Sequence, residues 1–316
     1  MYENLLDPLF LFFMVGFIAG ILKSDLKLPD AVYQLLSTYL LLAIGLKGGV
    51  QLAQASVGHI AGPILATLAL GLIIPVVAFV ISLRVGRLNR PDAASLAAHY
   101  GSASAVTFAA ALAMLKRTGV EHEGFLPVLL VILEIPAILV AIFLHRLGQN
   151  TTSAGYGGIV RELLLNRSVF LLVAGMVVGL ISGPVRFAPF ELLFVQAFKP
   201  VLAFFILEMG LVAALRLPEI RRSGIFLVAF AILMPLASGA LGGWFGLLSG
   251  LSGGGATILA TLAASASYIA APAAIRHAIP EANTGMSIAA ALGITFPFNL
   301  AFGIPLYSWW VGYLSA

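Results

Sequence analysis

Gly101-Ser102-Ala103-Ser104 recurs later in the chain as Ala264-Ser265-Ala266-Ser267, and each copy interrupts an apolar stretch long enough to cross a bilayer. Irregular, polar backbone at that depth is tolerated only where protein covers it or a cavity lies beside it. This pair therefore constrains the fold more than any other feature. Other landmarks keep nearly the same spacing: Ile44-Gly45-Leu46 returns as Met209-Gly210-Leu211, and the proline of Glu134-Ile135-Pro136 returns in Thr295-Phe296-Pro297. The chain reads as a duplication with a broken, hydroxyl-lined helix in each half, an arrangement used by many secondary transporters.

Hydrophobic residues make up 61% of the chain and charged residues 9%. Soluble domains average about 45–50% and 25%, so the solvent for most of this surface is lipid. At about 20 apolar residues per crossing, the sequence predicts an all-α polytopic membrane protein of ten helices: 7–22, 30–52, 58–83, 91–115, 123–146, 166–183, 188–216, 223–249, 252–278 and 282–313. The polar connection around Gln149-Asn150-Thr151-Thr152-Ser153 divides residues 1–150 from 166–316, with 151–165 as a flexible cytoplasmic linker. Five helices per half is an odd number, so the second copy enters the membrane upside down, as an inverted repeat. Helices four and nine, which carry the two breaks, then cross near the midplane.

Positive charge is spread over loops and forms no patch with interleaved aromatics, which argues against a nucleic-acid partner. Most Lys and Arg fall in alternate loops: Lys23 and Lys27; Arg84, Arg87 and Arg90; Arg146, Arg161 and Arg167; Arg216, Arg221 and Arg222; Arg276. Under the positive-inside rule both termini lie outside an inner (plasma) membrane. The first apolar stretch follows Glu3 and Asp7 without a basic segment, so it is expected to stay as a span. The absence of cysteine excludes disulfides, thiolate metal sites and cysteine nucleophiles.

A half-helix that starts inside the membrane presents free N–H groups and a positive dipole end, and two such ends form an anion site. Gly101, Ser102, Ser104, Ser265, Ser267 and the following Tyr268 are the candidate substrate residues. Their hydroxyls donate to an oxyanion or accept from a bicarbonate O–H. The competing structural reading is close packing of small residues. Glu134 is the leading acidic candidate, because a charge within a span faces a polar interior and marks ion or proton paths. Thr107, Thr295 and Asn299 add neutral oxygens for Na⁺. Lys47 and Glu208 are charges within the related helices two and seven, read as gate residues or a buried ion pair, with snorkelling to the interfaces as the alternative. His99 is a candidate proton gate or a packed neutral histidine. An intramembrane hydrolase using Ser102 and His99 lacks an orienting acid, so no catalytic residue and no enzyme activity are expected.

At these residues the sequence resembles the sodium-dependent bicarbonate transporter family best known from cyanobacteria. The likeness runs through Leu42-Ala43-Ile44-Gly45-Leu46-Lys47-Gly48-Gly49, Gly101 to Leu112, Glu134-Ile135-Pro136-Ala137 and Ala263 to Leu306. The resemblance implies core and gate domains each drawn from both repeats, bicarbonate uptake coupled to Na⁺ with no other cofactor, a homotrimer in the bilayer, and regulation by a small PII-like protein. Its substrate and ion site maps to Gly101, Ser102, Ser104, Thr107, Glu134, Ser265 and Ser267. Three departures stand out: Tyr268 replaces a common acid, Lys47 a neutral residue, and the central insertion that engages regulators is short. A small-carboxylate symporter and a cation/proton antiporter are the alternative functions.

Overall fold

The computed structural model describes residues 6–26, 28–54, 59–147, 156–222 and 224–315. Every regular element among them is helical. The first half holds α1 (Pro8–Ile21), α2 (Asp30–Leu52), α3 (Ala61–Arg84), α4 (Arg90–Gly101), α5 (Ala105–Thr118) and α6 (Leu126–Arg146). After α7 (Tyr156–Leu165) come α8 (Arg167–Phe187), α9 (Phe198–Leu215), α10 (Leu217–Arg222), α11 (Gly224–Leu248), α12 (Gly253–Ala264) and α13 (Ala270–Ala278). The last rod begins as α14 (Thr284–Ala290), passes π-helical turns at Ala291–Thr295 and Asn299–Gly303, and ends as α15 (Ile304–Ser315).

Among the described residues, eight helical segments are long and apolar enough to cross a membrane, with Arg90–Thr118 and Thr284–Ser315 each counted as one. Of the ten expected spans, two fall short of that length. One is α1, with 14 residues; the other is split into α12 and α13, with 12 and 9. Exposed apolar residues recur every fourth position, as in Leu72, Val76 and Val80 on α3 and Val173, Val177 and Ile181 on α8. Such stripes are aggregation faces in water and lipid-facing surfaces in a membrane. The expected loop at 151–165 is partly helical, since Tyr156–Leu165 forms α7 and packs beside α6, α8 and α13. The polar composition upstream obscured this short helix in the sequence. Residues 148–155, where a regulator contact was expected, lie outside the described residues.

The most extensive packing joins helices from opposite halves: α2 lies along α8, and α1 lies along α9. Lipid tails provide no hydrophobic drive for helix pairing, so close backbone approach at small residues must supply it. Gly45 and Gly49 of α2 face Gly175 and Gly179 of α8, and a Cβ on Gly49 would collide with the Met176 carbonyl. The second pair repeats this contact. Gly210 meets the Phe13 carbonyl, Gly16 meets the Leu207 carbonyl, and Gly20 meets Ala214. Gly49→Ala is expected to lower the thermal midpoint in detergent, since overpacking costs about 1–3 kcal/mol. Gly312→Ala, where a Cβ enters open space, should leave the midpoint unchanged or slightly raised.

The remaining long helices form a second group. There α3, α4 and α6 pack together, as do α11, α12 and α15, and α6 touches both α12 and α13. This second group carries both breaks.

Candidate functional site: two paired helix breaks

At the first break the chain leaves the helix at Ser102 (φ −95°, ψ 164°) and re-enters it after Ser104 (φ −108°, ψ 116°). At the second, Ser265 is likewise extended (φ −84°, ψ 169°). Serine suits both positions because its hydroxyl competes with the helix for backbone groups. Ser104 Oγ accepts the Thr107 N–H at 3.2 Å, and Ser267 Oγ accepts the Ala271 N–H at 3.3 Å. Ser104 thus caps α5, and Ser267, two residues ahead of the N-cap Ile269, satisfies an N–H in the first turn of α13. Pro272 lies in the first turn of α13, where its missing N–H leaves no helical bond unmade.

Two hydrogen bonds stitch the breaks together. The Ser267 N–H donates to the His99 carbonyl at 2.8 Å, and the Ser104 N–H donates to Ser265 Oγ at 2.9 Å. Ser265 Oγ in turn donates to the Leu262 carbonyl at 2.8 Å. Gly101 permits the tight crossing, since a Cβ there would lie 2.8 Å from Pro75 Cβ and 3.0 Å from Ala137 Cβ. Ala137 is one helical turn from Glu134 on α6, so that face of α6 abuts the first break. Glu134 is buried, 4% exposed, and no charged or hydrogen-bonding partner among the described residues acts on its carboxylate.

Three further polar groups near the breaks lack hydrogen bonds. Ser102 Oγ and His99 Nε2 are fully buried and have no partner among the described residues. The Tyr268 hydroxyl sits beside the Ser104 side chain without completing a bond of normal geometry, while its ring stands edge-on to Phe296 at 6.1 Å. A buried polar group left unpaired costs about 1–3 kcal/mol.

Thr295 and Asn299 reach the same region already committed to protein partners. Tyr100 OH donates to Thr295 Oγ1 at 2.8 Å, and Thr295 Oγ1 donates to the Ala231 carbonyl at 2.7 Å. Asn299 Nδ2 donates to the Ala264 carbonyl at 2.8 Å and its Oδ1 accepts from Tyr307 OH at 2.9 Å. Both residues brace the breaks in this conformation. The sequence reading missed Tyr100 and Tyr307 as their partners; a buried Tyr hydroxyl needs an acceptor, and that need was the available signal.

Lys47 and Glu208 do not pair. The Lys47 ammonium lies over the Phe198 ring, 5.1 Å from its centroid. Glu208 is ten residues further along α9, a rise of about 15 Å, beside Tyr33 near the opposite end of α2. The two charges therefore lie at different heights along the packed helices α2 and α9, toward opposite ends.

A small cavity opens between the breaks and the other helix group. Ala105, Val106, Ala109 and Ile269 line one side, and Ser37, Leu40, Leu41, Ile44 and Phe205 line the other. It gives the break region an apolar vestibule at the boundary of the two groups.

Eight apolar helical segments of spanning length among the described residues, with the interruptions at Ser102 and Ser265, describe an integral membrane protein built around a pair of discontinuous helices. The family model of the Na⁺-dependent bicarbonate transporter superfamily matches residues 8–312, and the chain belongs to that superfamily. No curated protein matches it.

Proposed function

We propose that the protein is a secondary active importer of a small anion, bicarbonate first, driven by Na⁺. The observation that carries this reading is the crossing itself, where Ser104 at the head of α5 bonds to Ser265 and Ser267 just ahead of α13 bonds to the His99 carbonyl, beside Ser102 Oγ, His99 Nε2 and the Tyr268 hydroxyl, which have no partner among the described residues. Free N–H groups and the positive ends of two helices attract an anion. Glu134, without a counter-charge, supplies the anionic ligand for Na⁺, with Thr107 and carbonyls of the break as neutral oxygens. Binding the cation offsets the anion's charge in a medium where either alone is costly to desolvate, which is the physical reason for symport.

The matched glycine contacts of α1–α9 and α2–α8 support an inverted repeat, since each pair takes one helix from either half. Those four helices would form the gate, and the group carrying the breaks would form the core that moves against it. Family likeness supports a homotrimer, and the loop charges support both termini outside.

The test is uptake of labelled bicarbonate and acetate into proteoliposomes with and without an inward Na⁺ gradient. Na⁺-stimulated bicarbonate accumulation is the expected result. If neither anion accumulates under any imposed gradient, the importer reading fails; Na⁺ movement driven by a pH gradient alone would replace it with an antiporter.

A further inference from the structure

We infer that His99 selects for an anion that still carries a proton, because it presents a hydrogen-bond acceptor, and no donor, at the first break. His99 Nδ1 lies 2.7 Å from the Ser95 carbonyl. A carbonyl can only accept, so Nδ1 carries the ring proton and the neutral ring keeps a bare lone pair at Nε2. That atom is fully buried and has no partner among the described residues, and Ser102 Oγ, three residues on where the chain leaves α4, is buried and unpartnered among them too. The backbone of the same histidine is held at the crossing by the Ser267 N–H. The tautomer is thus fixed by the fold in the last turn of α4, on the residue whose carbonyl joins the two breaks.

The inference rests on the anion-importer reading and names the feature of the substrate that the site recognises. Bicarbonate has two ends: oxygens that share the negative charge, suited to helix N-termini and serine hydroxyls, and one O–H. An acceptor-only nitrogen is a partner for that O–H. Formate and nitrate are planar, singly charged and of similar size, yet have no proton to donate, so they leave Nε2 unfilled. Sites built around one hydrogen bond discriminate well against analogues that lack it, because the buried partner is then left unpaired.

The experiment measures thermal stabilisation of the purified full-length protein by sodium bicarbonate, sodium formate and sodium nitrate at matched ionic strength. It compares the wild type with His99→Asn and His99→Gln. Asn can keep the donor to Ser95 but is too short to place an acceptor at the Nε2 position, whereas the amide oxygen of Gln reaches it. The wild type is expected to prefer bicarbonate over the other two by about tenfold or more. His99→Asn should lose that preference through weaker bicarbonate binding alone, and His99→Gln should restore most of it. Equal weakening of all three anions in His99→Asn, an unchanged ratio, or a Gln variant no better than Asn would overturn the assignment and leave the importer reading standing. A wild-type protein that none of the anions stabilises would overturn the anion site itself, and this inference with it. If His99→Asn is recovered only as aggregate, the Gln variant with uptake competition by formate decides the same question: a retained bicarbonate preference supports the acceptor role, and a lost one refutes it.

Discussion

Glu134→Gln is expected to remove most of the Na⁺ response of uptake while leaving the protein at least as stable as the wild type. The carboxylate is buried with no partner among the described residues, so whenever it is ionised its charge has no compensation there. Replacing it by a neutral isostere relieves that cost. With Na⁺ bound, the same charge is the strongest ligand proposed for the ion, and its loss should raise the half-saturating Na⁺ concentration by about ten- to a hundredfold, matching ~1.5–3 kcal/mol for a charged interaction. Half-saturating bicarbonate should change by less than about threefold, because the anion is held by helix ends and hydroxyls. Uptake against Na⁺ concentration in proteoliposomes, with a melting curve of the same preparation, checks both halves. An unaltered Na⁺ curve takes Glu134 out of the ion site.

Ser102→Ala and Ser265→Ala should both depress uptake strongly, yet for different reasons that a stability measurement separates. Ser102 Oγ forms no hydrogen bond among the described residues, so its removal should cost the fold little and fall on substrate binding. Ser265 Oγ accepts the Ser104 N–H and donates to the Leu262 carbonyl. Its removal leaves a buried N–H unpaired at the crossing and should destabilise the protein by about 1–3 kcal/mol. Transport assays alone would show two similar defects. Melting curves should show a normal midpoint for Ser102→Ala and a lowered one for Ser265→Ala. Loss of function confined to Ser102→Ala, with Ser265→Ala silent in both assays, would instead favour a serine nucleophile over a paired anion site.

The helices were legible because apolar runs and the duplicated Ser-x-Ser are local signals. The breaks fell at those serines, and the bounds of α2, α6 and α11 differ little from the expected spans. What stayed hidden was pairing across the halves. Nothing in the run Leu133-Glu134-Ile135-Pro136 shows that Ala137 touches Gly101. Nor does the sequence show that Thr295 and Asn299, chosen as ion ligands for their oxygens, have those atoms occupied by Tyr100, Ala231, Ala264 and Tyr307. A residue's chemistry is written in its type; whether that chemistry is free for a ligand depends on neighbours far along the chain. The Lys47–Glu208 pair failed for the same reason, since two unlike charges on packed helices meet only if their heights agree.

The glycine seams also set an order of assembly. Synthesis runs from the N-terminus, so α2 enters the bilayer well before α8 exists, and α1 waits longer still for α9. Until then the glycine faces of α1 and α2 have only lipid, which cannot fill them as a facing backbone does. The two helices made first thus wait for partners from the second half, and their seams close only once α8 and α9 have entered the membrane.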